Sequence, residues 1–143
     1  MLDNLYNTDI LSLSATLKNE RIETPMVTVR KVSKLCGSWL EIDMNVENAA
    51  VREVALRLQA CALGQASAAI LKEAIIGSTF AEIRGARDAL YKMLKENGDA
   101  PSGRFKKLEL LSGVAKYPAR HTSTLLAFDA ALEAMHATST VSL

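Results

Sequence analysis

The chain has 143 residues, 49% hydrophobic and 23% charged, and its 17 Lys and Arg against 16 Asp and Glu leave a net charge of +1. This is the composition of one globular domain burying about two-thirds of the surface its unfolded chain exposes, and it excludes a disordered or low-complexity chain. The near-neutral charge argues against gripping nucleic acid or an anionic membrane through a whole-molecule basic field, and two cysteines, Cys36 and Cys61, exclude both a disulfide scaffold and a four-cysteine metal site within one chain.

Met1-Leu2-Asp3-Asn4-Leu5 has no basic region followed by an apolar run, so no secretory signal is expected. The most apolar stretch, Ala60 to Ile76, is broken by Gln65, Ser67, Lys72 and Glu73 and is too short and polar to span a bilayer. A cytoplasmic protein with reduced thiols is the expectation. The spacing of Leu2, Leu5, Tyr6, Ile10, Leu13 and Leu17 predicts a helix over 2–17 with Asp3 as N-cap, ended by the polar stretch 18–25. Three β-like runs follow: 26–32, with Val27 and Val29 marking the β-branched bias; 39–46, with Leu40, Ile42, Met44 and Val46 on one face; and 51–58. Their alternation predicts an antiparallel meander with one face buried.

At Cys61 the hydrophobic period changes to that of a helix. Leu63, Ala66, Ile70 and Ala74 form its stripe, its many Ala and Gly residues would let its backbone lie close against the sheet, and Gly77 ends it. Thr79 and Glu82 form a capping-box pattern opening a helix with Ile83, Ala86, Leu90 and Leu94 inward, and Asn97-Gly98 supplies a left-handed stop. A short amphipathic piece spans 105–111, and a last helix runs from about Ser123 to Met135, with the tail from Ala137 expected to fray. Strands followed by helices predict a single α+β domain over 1–143 with helices on one face of the sheet.

Cys36 stands in Leu35-Cys36-Gly37-Ser38 at the turn into the second strand, where Gly37 allows a positive φ. Cys61 stands where the third strand gives way to a helix, at the positive end of that helix's dipole, which favours a thiolate, the form that binds metal or attacks sulfur. The two lie 25 residues apart, which is not a finger or ribbon spacing, so only tertiary structure can join them. A hairpin does this by returning the end of the third strand beside the start of the second. His121, just before the last helix, is either a surface-loop histidine or a third ligand, and His136 suits a helix C-terminus. Cys61 and His121 as a catalytic pair would lack a third, orienting residue. Arg104, Lys106 and Lys107 read as a solvated face or as a dock for an acidic partner, and no Gly-rich phosphate loop is present.

Three blocks together, Leu35-Cys36-Gly37-Ser38, Ala60-Cys61-Ala62-Leu63-Gly64-Gln65-Ala66-Ser67 and Ala119-Arg120-His121-Thr122-Ser123-Thr124-Leu125-Leu126-Ala127, resemble the ligand blocks of the NifU/IscU/SufU iron–sulfur cluster assembly scaffolds, in order and in spacing. The resemblance covers Tyr6 to Met135 and implies a three-stranded antiparallel sheet with helices packed on one face. It puts Cys36 and Cys61 on the first two cysteine ligands, but Ser123 on the third, and Ser38 where an aspartate follows Cys-Gly. It therefore implies a short stand-alone variant with a reduced ligand set, in which His121 reaches the third position only if the loop shifts by one residue. The function implied is a non-enzymatic scaffold or carrier that holds iron, a transient iron–sulfur cluster or zinc on Cys36, Cys61 and His121, with Cys61 a candidate sulfur acceptor. Its partners would be a cysteine desulfurase and other assembly proteins, with no nucleic acid and no membrane. A cluster could be shared in a homodimer, each chain giving two thiolates. The alternative is a degenerate adaptor of the same fold that binds the assembly machinery without cargo; a thiol transferase using Cys61 and His121 is a third class.

Overall fold

The computed structural model describes residues 7–34 and 37–141. Helix α1 (Thr8–Thr16) opens on Asn7, whose side chain accepts a hydrogen bond from Ile10 N at 3.0 Å, and it buries Ile10 and Leu13. Asp3, the expected N-cap, lies outside the described residues, as do Leu35 and Cys36.

Strands β1 (Val27–Val32), β2 (Trp39–Glu47) and β3 (Ala50–Gln59) form one antiparallel sheet in the order β1-β2-β3. Asn48 and Ala49, both with positive φ, make the tight turn between β2 and β3, a conformation that matches the strands' own twist. Leu40, Ile42 and Met44 alternate onto the inner face and are completely buried, with Leu56 of β3 and Val29 of β1 beside them. The α+β class and the three-stranded meander are as the sequence predicts.

The helices follow as α2 (Ala62–Ala74), α3 (Phe80–Lys95), a 3-10 segment (Gly103–Lys116), a short 3-10 turn (Pro118–Arg120) and α4 (His121–Val141). Thr79 and Glu82 make the expected capping box, and Asn97 takes the left-handed stop. Three expectations are corrected. The last helix starts at His121 and continues past Ala137 to Val141, because Thr138 is still buried there. His136 is therefore an exposed residue within the helix rather than a partner of its last turn. The small-residue helix α2 is not the one laid along the sheet: α4 covers β1 and β2, and α2 packs mainly between α1 and α4. Phe128 of α4 fills the centre, edge-on to Phe105 of the 3-10 segment with ring centroids 5.7 Å apart. No helix among the described residues is long and apolar enough to cross a membrane.

The outer face of the sheet is strapped. Leaving α1, the chain runs along the free edge of β3, where Leu58 N donates to Asn19 Oδ1 (3.1 Å) and Glu20 N to Leu56 O (3.0 Å). It then crosses the sheet, with Ile22 N donating to Asp43 Oδ2 (2.9 Å), and reaches β1 with Met26 N donating to Asn45 Oδ1 (2.8 Å). Beneath this strap lie Asp43 and Arg57, both buried. The Arg57 guanidinium grips the Asp43 carboxylate with two bonds of 2.9 Å, and also donates to Glu41 Oε1 (3.0 Å) and to Glu20 O (2.8 Å). The guanidinium first, then Ile22 N and the Thr28 hydroxyl, hold the Asp43 carboxyl down at about 2 against the opposing effect of burial.

Candidate functional site

Cys61 takes the N-cap position of α2 with extended backbone and makes no side-chain cap hydrogen bond, so its sulfur is not spent on the helix. It is half-buried. The register pairs Trp39 with Gln59, which brings the start of β2 beside the end of β3, two residues before Cys61. The 33–38 loop therefore leaves the sheet at the Cys61 end. Its flanks are fixed by Ser33 N donating to Ser38 O (2.8 Å) and Gly37 N to Ser33 O (2.9 Å), with Gly37 at φ +71° as expected. Cys36 itself lies outside the described residues.

The first turn of α4 supplies the third component. Ser123 is buried, and its Oγ stands 3.5 Å from Cys61 Sγ, at hydrogen-bonding distance for sulfur. Gly64 lets α2 and α4 come this close: a Cβ there would lie 2.7 Å from Ser123 Oγ and 3.0 Å from Ala60 Cβ. Three residues on, Ser67 Oγ donates to Thr124 O at 2.6 Å and locks the crossing. The glycine one turn after the thiol is a role that the sequence reading assigned to sheet contact instead.

His121 is placed differently from Ser123. It is buried, and Val114 O lies 3.0 Å from its Nε2. A carbonyl only accepts, so Nε2 carries the proton, and Nδ1 accepts from Lys95 Nζ at 3.2 Å. Both ring nitrogens are thus engaged in tying the start of α4 to α3 and the 3-10 segment. A metal could be bound only by giving up one of these bonds. Among the described residues no three His, Cys, Asp or Glu side chains are gathered closely enough to hold a metal ion.

Over 101 residues, 70% of each chain, the sequence is 33% identical to the iron–sulfur cluster assembly scaffold protein IscU of Thermotoga maritima. The chain belongs to the IscU/NifU/SufU-like family of iron–sulfur cluster assembly scaffolds. Among IscU-like structures, the crystal structure of a nitrogen-fixing NifU-like protein (N-terminal) from Brucella abortus matches it at a TM-score of 0.94 and 39% identity over 97% of each chain. The zinc-dependent sulfurtransferase SufU of Bacillus subtilis is 23% identical over 129 residues, 90% of this chain and 88% of that one. No protein-family model matches the chain.

Proposed function

We propose that this IscU-like chain is a non-enzymatic scaffold or carrier that takes iron, a transient iron–sulfur cluster or zinc on the thiolates of Cys36 and Cys61, working in the cytoplasm with a cysteine desulfurase. The observation that carries this reading is Cys61 at the head of α2, half-buried, its sulfur unused as a cap, at the sheet end from which the loop bearing Cys36 departs. His121 serves in this reading as a buried strut rather than a ligand. Cys61 is also the proposed sulfur acceptor. Its thiolate attacks the outer sulfur of the desulfurase persulfide, a new S–S bond forms on Cys61, the donor's S–S bond breaks, and the donor cysteine leaves as a thiolate. No outside oxidant is needed, because one S–S bond replaces another.

Metal and sulfide analysis after anaerobic reconstitution, on the wild type and on Cys36→Ser and Cys61→Ser, tests the reading. The wild type should take up iron or zinc and each variant should lose most of it. A wild type that takes up neither would leave the chain as the adaptor without cargo.

A further inference from the structure

A serine or threonine hydroxyl inside a helix commonly bonds back to a carbonyl three or four residues earlier. In α4, Thr124 Oγ1 donates to Arg120 O (2.8 Å), Thr138 Oγ1 to Met135 O (2.8 Å) and Ser139 Oγ to His136 O (2.7 Å). Ser123 does otherwise. Its hydroxyl is buried, and its one hydrogen-bonding partner among the described residues is Cys61 Sγ at 3.5 Å. Gly64 leaves room for this contact, and Ser67 holds the crossing of the two helices in place. A buried hydroxyl with no other partner is thus aimed at the sulfur. Once that sulfur is an anion, only the hydroxyl can donate.

We propose that Ser123 makes the sulfur carried on Cys61 transferable: its hydroxyl stabilises Cys61 Sγ as the leaving group when a recipient thiolate takes the outer sulfur of a Cys61 persulfide. This rests on the reading of Cys61 as a sulfur acceptor. The recipient thiolate attacks the outer sulfur and a new S–S bond forms on the recipient. The S–S bond on Cys61 breaks, and its electron pair stays on Sγ as a thiolate. One S–S bond again replaces another, so no oxidant or reductant enters. A hydrogen bond to a charged acceptor is about twice as strong as one between neutral groups, so the hydroxyl contributes most when Sγ becomes an anion. The surroundings act in the same sense. Cys61 is at the positive end of the α2 dipole, and segments 58–66 and 116–124 contain no Asp or Glu but carry Lys116 and Arg120.

The two directions of the exchange test this on the full chain. Cys61 is loaded anaerobically with glutathione persulfide and unloaded with reduced glutathione, under alkaline conditions that keep thiols ionised, and the Cys61 peptide is followed by mass spectrometry. In the wild type the persulfide should pass its outer sulfur to glutathione and return an unmodified Cys61. Ser123→Ala, a substitution that suits a helix, should lower the ratio of unloading to loading rates about tenfold, with a urea unfolding curve confirming that the variant is folded. A looser or more open site would change both rates together and leave the ratio alone. An unchanged ratio in the folded variant overturns the role of Ser123 and leaves Cys61 standing as an acceptor. A wild-type Cys61 that ends as a mixed disulfide with glutathione, releasing hydrosulfide, also overturns it, because Cys61 is then not the leaving group. No persulfide on wild-type Cys61 overturns the acceptor reading, and the proposal with it.

Discussion

His121 joins three elements through one ring. Its Nε2–H donates into the 3-10 segment at Val114 O, its Nδ1 accepts from Lys95 of α3, and its backbone starts α4. Replacing it with alanine opens a cavity and strands a buried carbonyl, so His121→Ala should lower stability by about 2–3 kcal/mol in urea unfolding. Metal bound per folded chain should stay the same, since the proposed thiolates are untouched. Loss of metal at unchanged stability would instead identify a ligand. Cys61 was legible at this scale because the hydrophobic period changes at that residue. Ser123 was legible only through the resemblance, since a serine near the start of a helix looks like any capping residue. His121 has a ligand's chemistry, but its chemistry is already used by Val114, seven residues before it, and by Lys95, 26 residues before it, contacts that the spacing of apolar residues does not announce.

At the scale of elements, the crossing of α2 and α4 decides where Ser123 stands relative to Cys61. Alanine is favoured over glycine inside a helix by about 1 kcal/mol, so Gly64→Ala would stabilise α2 by itself. In this fold the new Cβ meets Ser123 Oγ at 2.7 Å and Ser123 O at 3.3 Å, and the backbone oxygen cannot rotate away. Overpacking should prevail, with a net loss of roughly 1–2 kcal/mol. Adding Ser123→Ala removes the closest contact, so the double variant should recover part of the loss, a coupling of about 0.5–2 kcal/mol in a thermodynamic cycle. Additive effects would show that the helices are free to part. The small-residue stripe was legible, but its partner was not. A stripe of Ala and Gly marks close approach without naming what approaches, and here α4 had already taken the inner face of β1 and β2.

For the whole molecule, the Arg57–Asp43 pair links the strap to the sheet. Asp43 has a folded value near 2, against 3.8 for an ordinary aspartate. Because the folded value is the lower one, its contribution is complete above the unfolded value and disappears as the pH falls from about 4 toward 2. Asp43→Asn should cost about 3 kcal/mol at neutral pH by leaving Arg57 poorly compensated, and should flatten the loss of stability between pH 4 and 2, read from urea midpoints across that range. A parallel pH profile for the variant would place the acid sensitivity elsewhere. This pair was invisible in the sequence, because Asp43 occupies an outward position in the alternation of β2, where a carboxylate ordinarily meets solvent. Only the strap, whose polar composition read as a simple break, puts it in the interior.

That strap also sets an order in time. Its hydrogen bonds join residues 19, 20 and 22 to Leu58, Leu56 and Asp43, so they close loops of up to 39 residues. The bonds to Leu58 and Leu56 cannot form until β3 exists as a strand beside β2, and the bond to Asp43 waits for β2. On a growing polypeptide residues 19 and 20 leave the ribosome before the β3 edge they bind, which is not complete until residue 58 has followed them. The strap is thus made before the strands that it binds and placed after them.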